Sequence, residues 1–337
     1  MSLLFVDGFD HWDQSDGLTC KWDAYSSTNL YVGTTYARWS DMTNAQGMST
    51  YSSYYLEKLV GNQSTLVVGT SFQKFEASSP TLSTSAPLIA FYDNADRQIG
   101  IHIDANYAIN AYRNTTYLGK SADNVLQSQK WFHLQVKVVF DQSAGSVEVK
   151  VNGTTVLNLT GIDTCYSANA YANAVRIGGV YSGMRGYWDD LWIDDSDFLG
   201  ELRVKTYWPD SDETHTDFTP NTGTDHYAVV DNLEITDDAN YNESDTNGHK
   251  DSYGWTVDAF GTVQAVAVNM AALQSDATTR TVRCICRSNG TDYNGDSEDT
   301  DTAVNVHQHV WATDPDDSNA WTQAKIQAAE FGIEIVS

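Results

Sequence analysis

The chain has 337 residues, with 19 Lys plus Arg against 45 Asp plus Glu and a formal charge of -26 at pH 7. Cations this sparse and unclustered exclude nucleic acid as a main partner and work against attachment to an anionic membrane. The length exceeds one ordinary core, so two domains are expected, and the 19 Tyr, 10 Trp and 11 Phe suit cores, interfaces and sugar-facing surfaces alike.

The opening MSLLFVDGFD reads as a first strand, with no basic region and no apolar run of signal-peptide or membrane-span length, so neither is expected. Polar, turn-rich text follows to about residue 50 and holds the aromatic residues Trp12, Trp22, Tyr25, Tyr31, Tyr36 and Trp39. Rings on such loops stack on sugars, pack against another chain, or close the end of a core. STLVVGTSFQKFE (64–76) is a clear strand. Val67, Gly69, Ser71 and Gln73 lie on one face, and Leu66, Val68, Thr70 and Phe72 on the other. Three strands come next, APLIAFYD, QIGIHID and AINAYRN, joined by Asp/Asn/Gly turns.

In WFHLQVKVVFD, Phe132, Leu134, Val136, Val138 and Phe140 alternate with His133, Gln135 and Lys137, the pattern of a strand with one buried face. SVEVKVNGTTVLNLTG alternates again around Asn152-Gly153, a hairpin signal. AVRIGGV and GYWDDLWIDDSDF complete about twelve strands within some 200 residues, with no βαβ rhythm. A proline- and acid-rich stretch at 209–225 reads as a linker between a first domain, 1–208, and a small second β-sandwich, 226–337. The one convincing helix there is NAWTQAKIQAAE (319–330), capped by Asn319. Cys20, Cys165, Cys284 and Cys286 form no CxxC pair and fit free thiols in a reducing cytosol.

For chemistry, WDDLWIDD and its neighbours gather Asp189, Asp190, Asp194, Asp195 and Asp197, with Glu201 beyond. Strict alternation puts Asp190, Trp192 and Asp194 on one face. A retaining glycosidase needs two carboxylates about 5 Å apart, and this spacing, with no Glu in the cluster proper, does not match. Asp189, Leu191, Ile193 and Asp195 fall on the other face, and Asp189 reads as pointing inward at the rim, where it accepts backbone N–H bonds from a neighbouring loop. Ca²⁺ suits oxygen ligands on loops, and its candidate ligands are Asp7, Asp10, Asp13 and Asp16, or Asp189, Asp190 and Asp194. His307 and His309 share a strand face, and two His without a third ligand are weak evidence for zinc.

On the opening FVDGFD, the central KWFHLQVKVVFDQSAGSVEVKVNGTTVLNLTG and the closing GYWDDLWIDD, residues 1–208 resemble the concanavalin A-like lectin/glucanase superfamily, most of all its laminin-G-like, pentraxin-like members. The likeness is diffuse over 1–130 and specific over 131–195. It implies an all-β, two-sheet jelly roll that binds through a concave face or its rim loops. The glucanase carboxylates are not matched, so it implies binding or structure and not hydrolysis. The whole layout resembles virion proteins of tailed bacteriophages, with Arg287, Gly290, Tyr293, Asp314, Pro315, Trp321 and Phe331 carrying the likeness in the closing segment. That resemblance implies a non-enzymatic virion structural protein (capsid decoration, head fibre or tail part), made in the host cytoplasm and oligomeric, with other virion chains and a host-surface glycan as partners. A carbohydrate-binding adhesion module is the alternative, and a glycoside hydrolase ranks third.

Overall fold

The computed structural model describes residues 3–12, 17–26, 29–39, 45–75, 82, 85–180, 184–232, 235 and 239–337. The chain forms two compact units, Met1–Val204 and Lys205–Ser337. It is all-β, as expected, with a jelly-roll sandwich followed by a small β domain that carries one short helix.

The first unit's strands are β1 (Leu3–Asp7), β2 (Ala24–Tyr25), β3 (Leu30–Gly33), β4 (Gly47–Tyr51), β5 (Leu56–Gln63), β6 (Thr65–Lys74), β7 (Ile89–Asp93), β8 (Asp96–Ile103), β9 (Ile109–Arg113), β10 (Thr116–Lys120), β11 (Trp131–Val139), β12 (Gly145–Val151), β13 (Thr154–Ile162), β14 (Ala172–Ile177) and β15 (Arg185–Asp194). They make an eight-stranded sheet, β13-β12-β11-β6-β15-β4-β3 with β1 also on β15, and a seven-stranded sheet, β10-β9-β8-β7-β14-β5-β2. Period-two alternation builds the slab between them. Leu134 lies opposite Thr70 and Val151, Val136 opposite Val68 and Val149, and Val138 opposite Leu66 and Val147. From the other sheet Phe91 meets Phe140 edge-on, ring centroids 6.0 Å apart. Asn152 and Gly153 take φ values of 49° and 79° in the two-residue turn between β12 and β13, the left-handed pair that such hairpins require.

The alternation expected through WDDLWIDD breaks at a β-bulge. Asp189 pairs with Ser71 and Trp192 with Gly69, so Asp190 and Leu191 together face Thr70, and Asp190 has φ 52°. Asp189, expected on the inner face, therefore joins Trp192 and Asp194 on the outer one, and the Asp190 carboxylate reaches that face too, where it accepts from Ser71 Oγ–H. The Trp192 ring lies over Gly69, where an added Cβ would sit 2.0 Å from its Cε2. His133 and Gln135 point outward as expected, yet both are buried. Trp192 stacks on His133 at 6.4 Å, and Gly200 N–H donates to Gln135 Oε1 at 3.1 Å.

The second unit contains β16 (Ser211–Thr216), β17 (Thr219–Pro220), β18 (Asn242–Glu243), β19 (Lys250–Gly254), β20 (Val266–Ala272), β21 (Thr281–Ser288), β22 (Thr291–Asp299), β23 (Asn305–Trp311), α1 (Gln323–Ala328) and β24 (Glu330–Ile335). A five-stranded sheet, β16-β19-β24-β21-β22, and the ribbon β20-β23 enclose a core of Met270, Cys284, Cys286, Trp311, Trp321 and Phe331. The stretch 209–225, expected as a linker, supplies β16 as the edge strand on β19. The helix is shorter than expected and is capped by Thr322, whose Oγ1 accepts from Lys325 N–H at 3.3 Å. Asn319 instead belongs to a turn in which its carbonyl accepts from Asp314 N–H. Among the described residues no helix is long and apolar enough to cross a membrane, and the four cysteines are free.

Leu134 is fully buried, so Leu134→Ala should lower stability by about 2–5 kcal/mol, read as a shift in the denaturant midpoint. An unchanged midpoint would contradict the inward facing of β11.

Candidate functional site

The described carboxylates among the candidate Ca²⁺ ligands already have internal partners. Asp7 ends β1 inside the sandwich. It accepts Phe9 N–H at 2.8 Å and Trp22 Nε1–H at 2.9 Å, and its counter-ion is the buried Lys21 ammonium at 3.5 Å. Burial pushes the Asp7 carboxyl up, and the charges of Lys21 and His11 with the two hydrogen bonds hold it below the usual range. Burial brings Lys21 down to about 8 against the pull of Asp7. Asp10 accepts from Gln46 N–H at 2.9 Å. Asp194 caps a turn, accepting from Ser196 N–H at 2.7 Å and Asp197 N–H at 3.1 Å. Asp13 and Asp16 lie outside the described residues, among which no group of three or more His, Cys, Asp or Glu side chains is arranged to hold a metal ion.

The bulge brings Asp189 and Asp190 together, both buried. Asp190 accepts from Trp39 Nε1–H at 2.8 Å, Ser71 Oγ–H at 2.9 Å and Val204 N–H at 3.0 Å. Asp189 accepts from Arg38 N–H at 2.7 Å and from Asp190 N–H at 2.8 Å. Burial raises both carboxyls, Asp189 the more strongly because Asp190 also repels its charge, while Trp39, Val204, Ser71 and Arg38 partly offset the rise at Asp190. The pair thus fastens the loop at Arg38 and Trp39 and the chain at Val204 onto the sheet. Asp189 accepts the backbone hydrogen bond from a loop that was expected of it, from the outer face and not from an inward position.

The aromatic residues singled out by their loop context part company. Trp12 and Trp22 are each 1% exposed. Trp22 packs edge-on to Phe5 at 5.0 Å and donates to Asp7, so neither ring is available to a ligand. Tyr25 is half-buried on the edge strand of the seven-stranded sheet. Tyr31, Tyr36 and Trp39 do gather, on the outer face of the eight-stranded sheet. Tyr31, Ser49, Tyr187, Gln73 and Trp131 form one row across it. Tyr36 and Phe75 flank Tyr187 at 5.1 and 5.0 Å, and Trp39 lies under the guanidinium groups of Arg38 and Arg203.

A second constellation, which sequence reasoning missed, lies on the outer face of the seven-stranded sheet. Its central row runs Glu57, Arg176, Ala90, Gly100, Tyr112, Tyr117 across six strands. Ala90 and Gly100 make a low floor. Arg97 and His102 fold over Gly100, where a Cβ would meet His102 Nε2 at 2.8 Å and Arg97 Cδ at 3.3 Å. Arg176 is held between the rings of Tyr55 and Tyr92, 4.4 and 3.9 Å from their centroids, and donates to Glu57 at 2.5 Å. On the far side His102 and Tyr117 each meet Tyr112 edge-on, at 5.2 and 5.5 Å. An open pocket of about 460 Å³ lies against Arg97, Arg176, Tyr92 and Tyr166, with Tyr166 53% exposed. Guanidinium groups and phenol rings on a small-residue floor can stack on sugar faces and donate to sugar oxygens. The available signal was Gly100 set between Ile99 and Ile101 in a strand interior, since such a glycine marks a close approach.

No family model and no curated protein matches the chain. Among solved structures it is similar to the cellulose-induced protein Cip1 (TM-score 0.42, 15% identity, covering 57% of this chain and 97% of that one). It is also similar to a mutant of the alginate lyase Aly36B in complex with an alginate tetrasaccharide (TM-score 0.40, 12% identity, 60% and 98%). A third is the catalytic domain of a glycoside hydrolase family 131 protein from Coprinopsis cinerea (TM-score 0.38, 10% identity, 60% and 98%). The functional reading rests on the side chains described above.

Two outcomes are expected. Lys21→Met should cost about 3–5 kcal/mol in a denaturant titration, because it leaves Asp7 buried without its cation. Carboxyls raised in the folded state contribute stability that is full below their unfolded pKa and is lost as pH rises through the folded value. Asp189→Asn should therefore flatten the fall in thermal midpoint as pH rises above the ordinary carboxylate range, and an unaltered slope would contradict the raised carboxyl.

Proposed function

We propose that the protein is a non-catalytic carbohydrate-binding β-sandwich protein whose glycan lies along the outer face of the seven-stranded sheet. One observation carries this reading: six strands contribute a single row of outward residues, low at Ala90 and at Gly100, where Arg97 and His102 fold over the glycine, and flanked by Arg176, Tyr92 and the exposed Tyr117. A glycan there stacks on the tyrosines and receives hydrogen bonds from the guanidinium groups. Binding in place of hydrolysis is supported by the adjacent carboxyls Asp189 and Asp190, which are buried and engaged with the chain's own donors.

The finer reading places this protein in a tailed-bacteriophage virion as a capsid-decoration, fibre or tail chain, made in the host cytoplasm and oligomeric. The residues behind that likeness shape the second unit. Trp321 and Phe331 pack at 5.9 Å, Arg287 pairs with Asp292 at 2.7 Å, and Asp314 accepts from Ser288 Oγ–H at 2.8 Å. Exposed Tyr31 and Phe75 offer apolar contact to a neighbouring virion chain.

The test is a glycan array on the full chain, followed by titration of the best binder against Arg176→Ala and Tyr117→Ala. Each variant should weaken binding by about ten-fold or more, and Tyr117, 52% exposed, should do so with the thermal midpoint retained. The same polysaccharide should gain no new chain ends on prolonged incubation. Binding indifferent to both variants, or cleavage of the glycan, would overturn the reading. Light scattering and a map of the particle test the virion assignment.

A further inference from the structure

The cations of this face are not equivalent. Arg176 is matched by Glu57. Arg97 is 9% exposed, and among the described residues no carboxylate lies within ion-pair distance of it. Its Nη2 donates to the Asn114 carbonyl at 2.5 Å, and its Nε–H is buried with no acceptor. Burial lowers its pKa, the Tyr92 phenol hydrogen-bonded to it pulls the other way, and the Arg176 charge adds to the lowering. A buried guanidinium without a counter-ion is costly, and here it survives in a chain with 45 acidic residues from which to draw a partner. The pocket of about 460 Å³ opens directly onto it and onto Arg176. Asp96, at the rim, is exposed.

Resting on the glycan-binding reading, we infer that the ligand is an acidic saccharide whose anionic group, a carboxylate or a sulfate, is received by Arg97 beside Arg176. The guanidinium fork matches either anion, and charge-assisted hydrogen bonds are the strong ones. The overall negative charge does not forbid this. Charges more than about 10 Å away are screened at ordinary ionic strength, whereas contacts inside the pocket are not.

The experiment compares, by calorimetry on the full chain, three oligosaccharides of equal length: a uronate, a sulfated neutral sugar and the neutral sugar itself. The uronate, the sulfated sugar or both should bind at least about ten-fold more tightly than the neutral one, and the stronger of the two identifies the anion. Arg97→Gln should remove that preference, so that the charged and the neutral oligosaccharides bind alike. The wild-type comparison stands even where the variant does not fold. Equal affinity for all three, lost in Arg176→Ala, would overturn this inference and leave the glycan-binding reading intact. Binding of none of the three, with none detected on a wider array, would overturn both. A preference that survives in folded Arg97→Gln would place the anion elsewhere and overturn the assignment to Arg97.

Discussion

A sheet packed on one face commits every second residue to the core, and in this protein that constraint sorts almost every side chain. The inward half of the first unit is Leu, Val, Ile and Phe from both sheets, fully or nearly removed from solvent. Whatever the unit does must be done by the outward half. The few polar groups inside, Asp7 and Lys21 above all, survive because each supplies the other's missing charge.

The two outward halves are used differently. On the eight-stranded sheet the chain covers much of its own surface. A bulge in β15 turns two aspartates toward the loop that follows β3 and toward the end of the unit, and their hydrogen bonds hold both in place. Carboxyls used in this way are fasteners, and their raised pKa follows from that burial. The seven-stranded sheet keeps its middle low, with an alanine and a glycine at the centre of the row, and sets cations and phenols around it. The second unit follows a third course. Across its five-stranded sheet Asp292 takes hydrogen bonds from His215, Lys250 and Arg287 while Glu334 pairs with Arg283, so that surface is largely self-neutralised.

The fold was largely legible because strict alternation has one physical reading. β11, the Asn152-Gly153 hairpin and the outward polar row of β6 could be read directly from their letters. The bulge could not, since WDDLWIDD alternates acceptably in either register and only the pairing of Trp192 with Gly69 decides between them. The site was legible only in part. Aromatic density drew attention to residues 12–39, where Trp12 and Trp22 turned out to be core and Tyr31, Tyr36 and Trp39 to belong to the outer face of the eight-stranded sheet. The groove residues stand alone in their strands, at 55–57, 90–102, 112–117 and 166–176. No local motif announces them, because hydrogen bonding between distant strands is what makes them neighbours.

That row has one more implication. Adjacent strands are about 4.8 Å apart, so the five intervals from β5 to β10 span roughly 24 Å. On the glycan-binding proposal, a chain of that length lies crosswise to the strands, over their outward residues. The residues beside these, Phe91, Ile99 and Val175 among them, hold the core, so the side chains that a ligand meets under that proposal and those that keep the sheet together are separate sets.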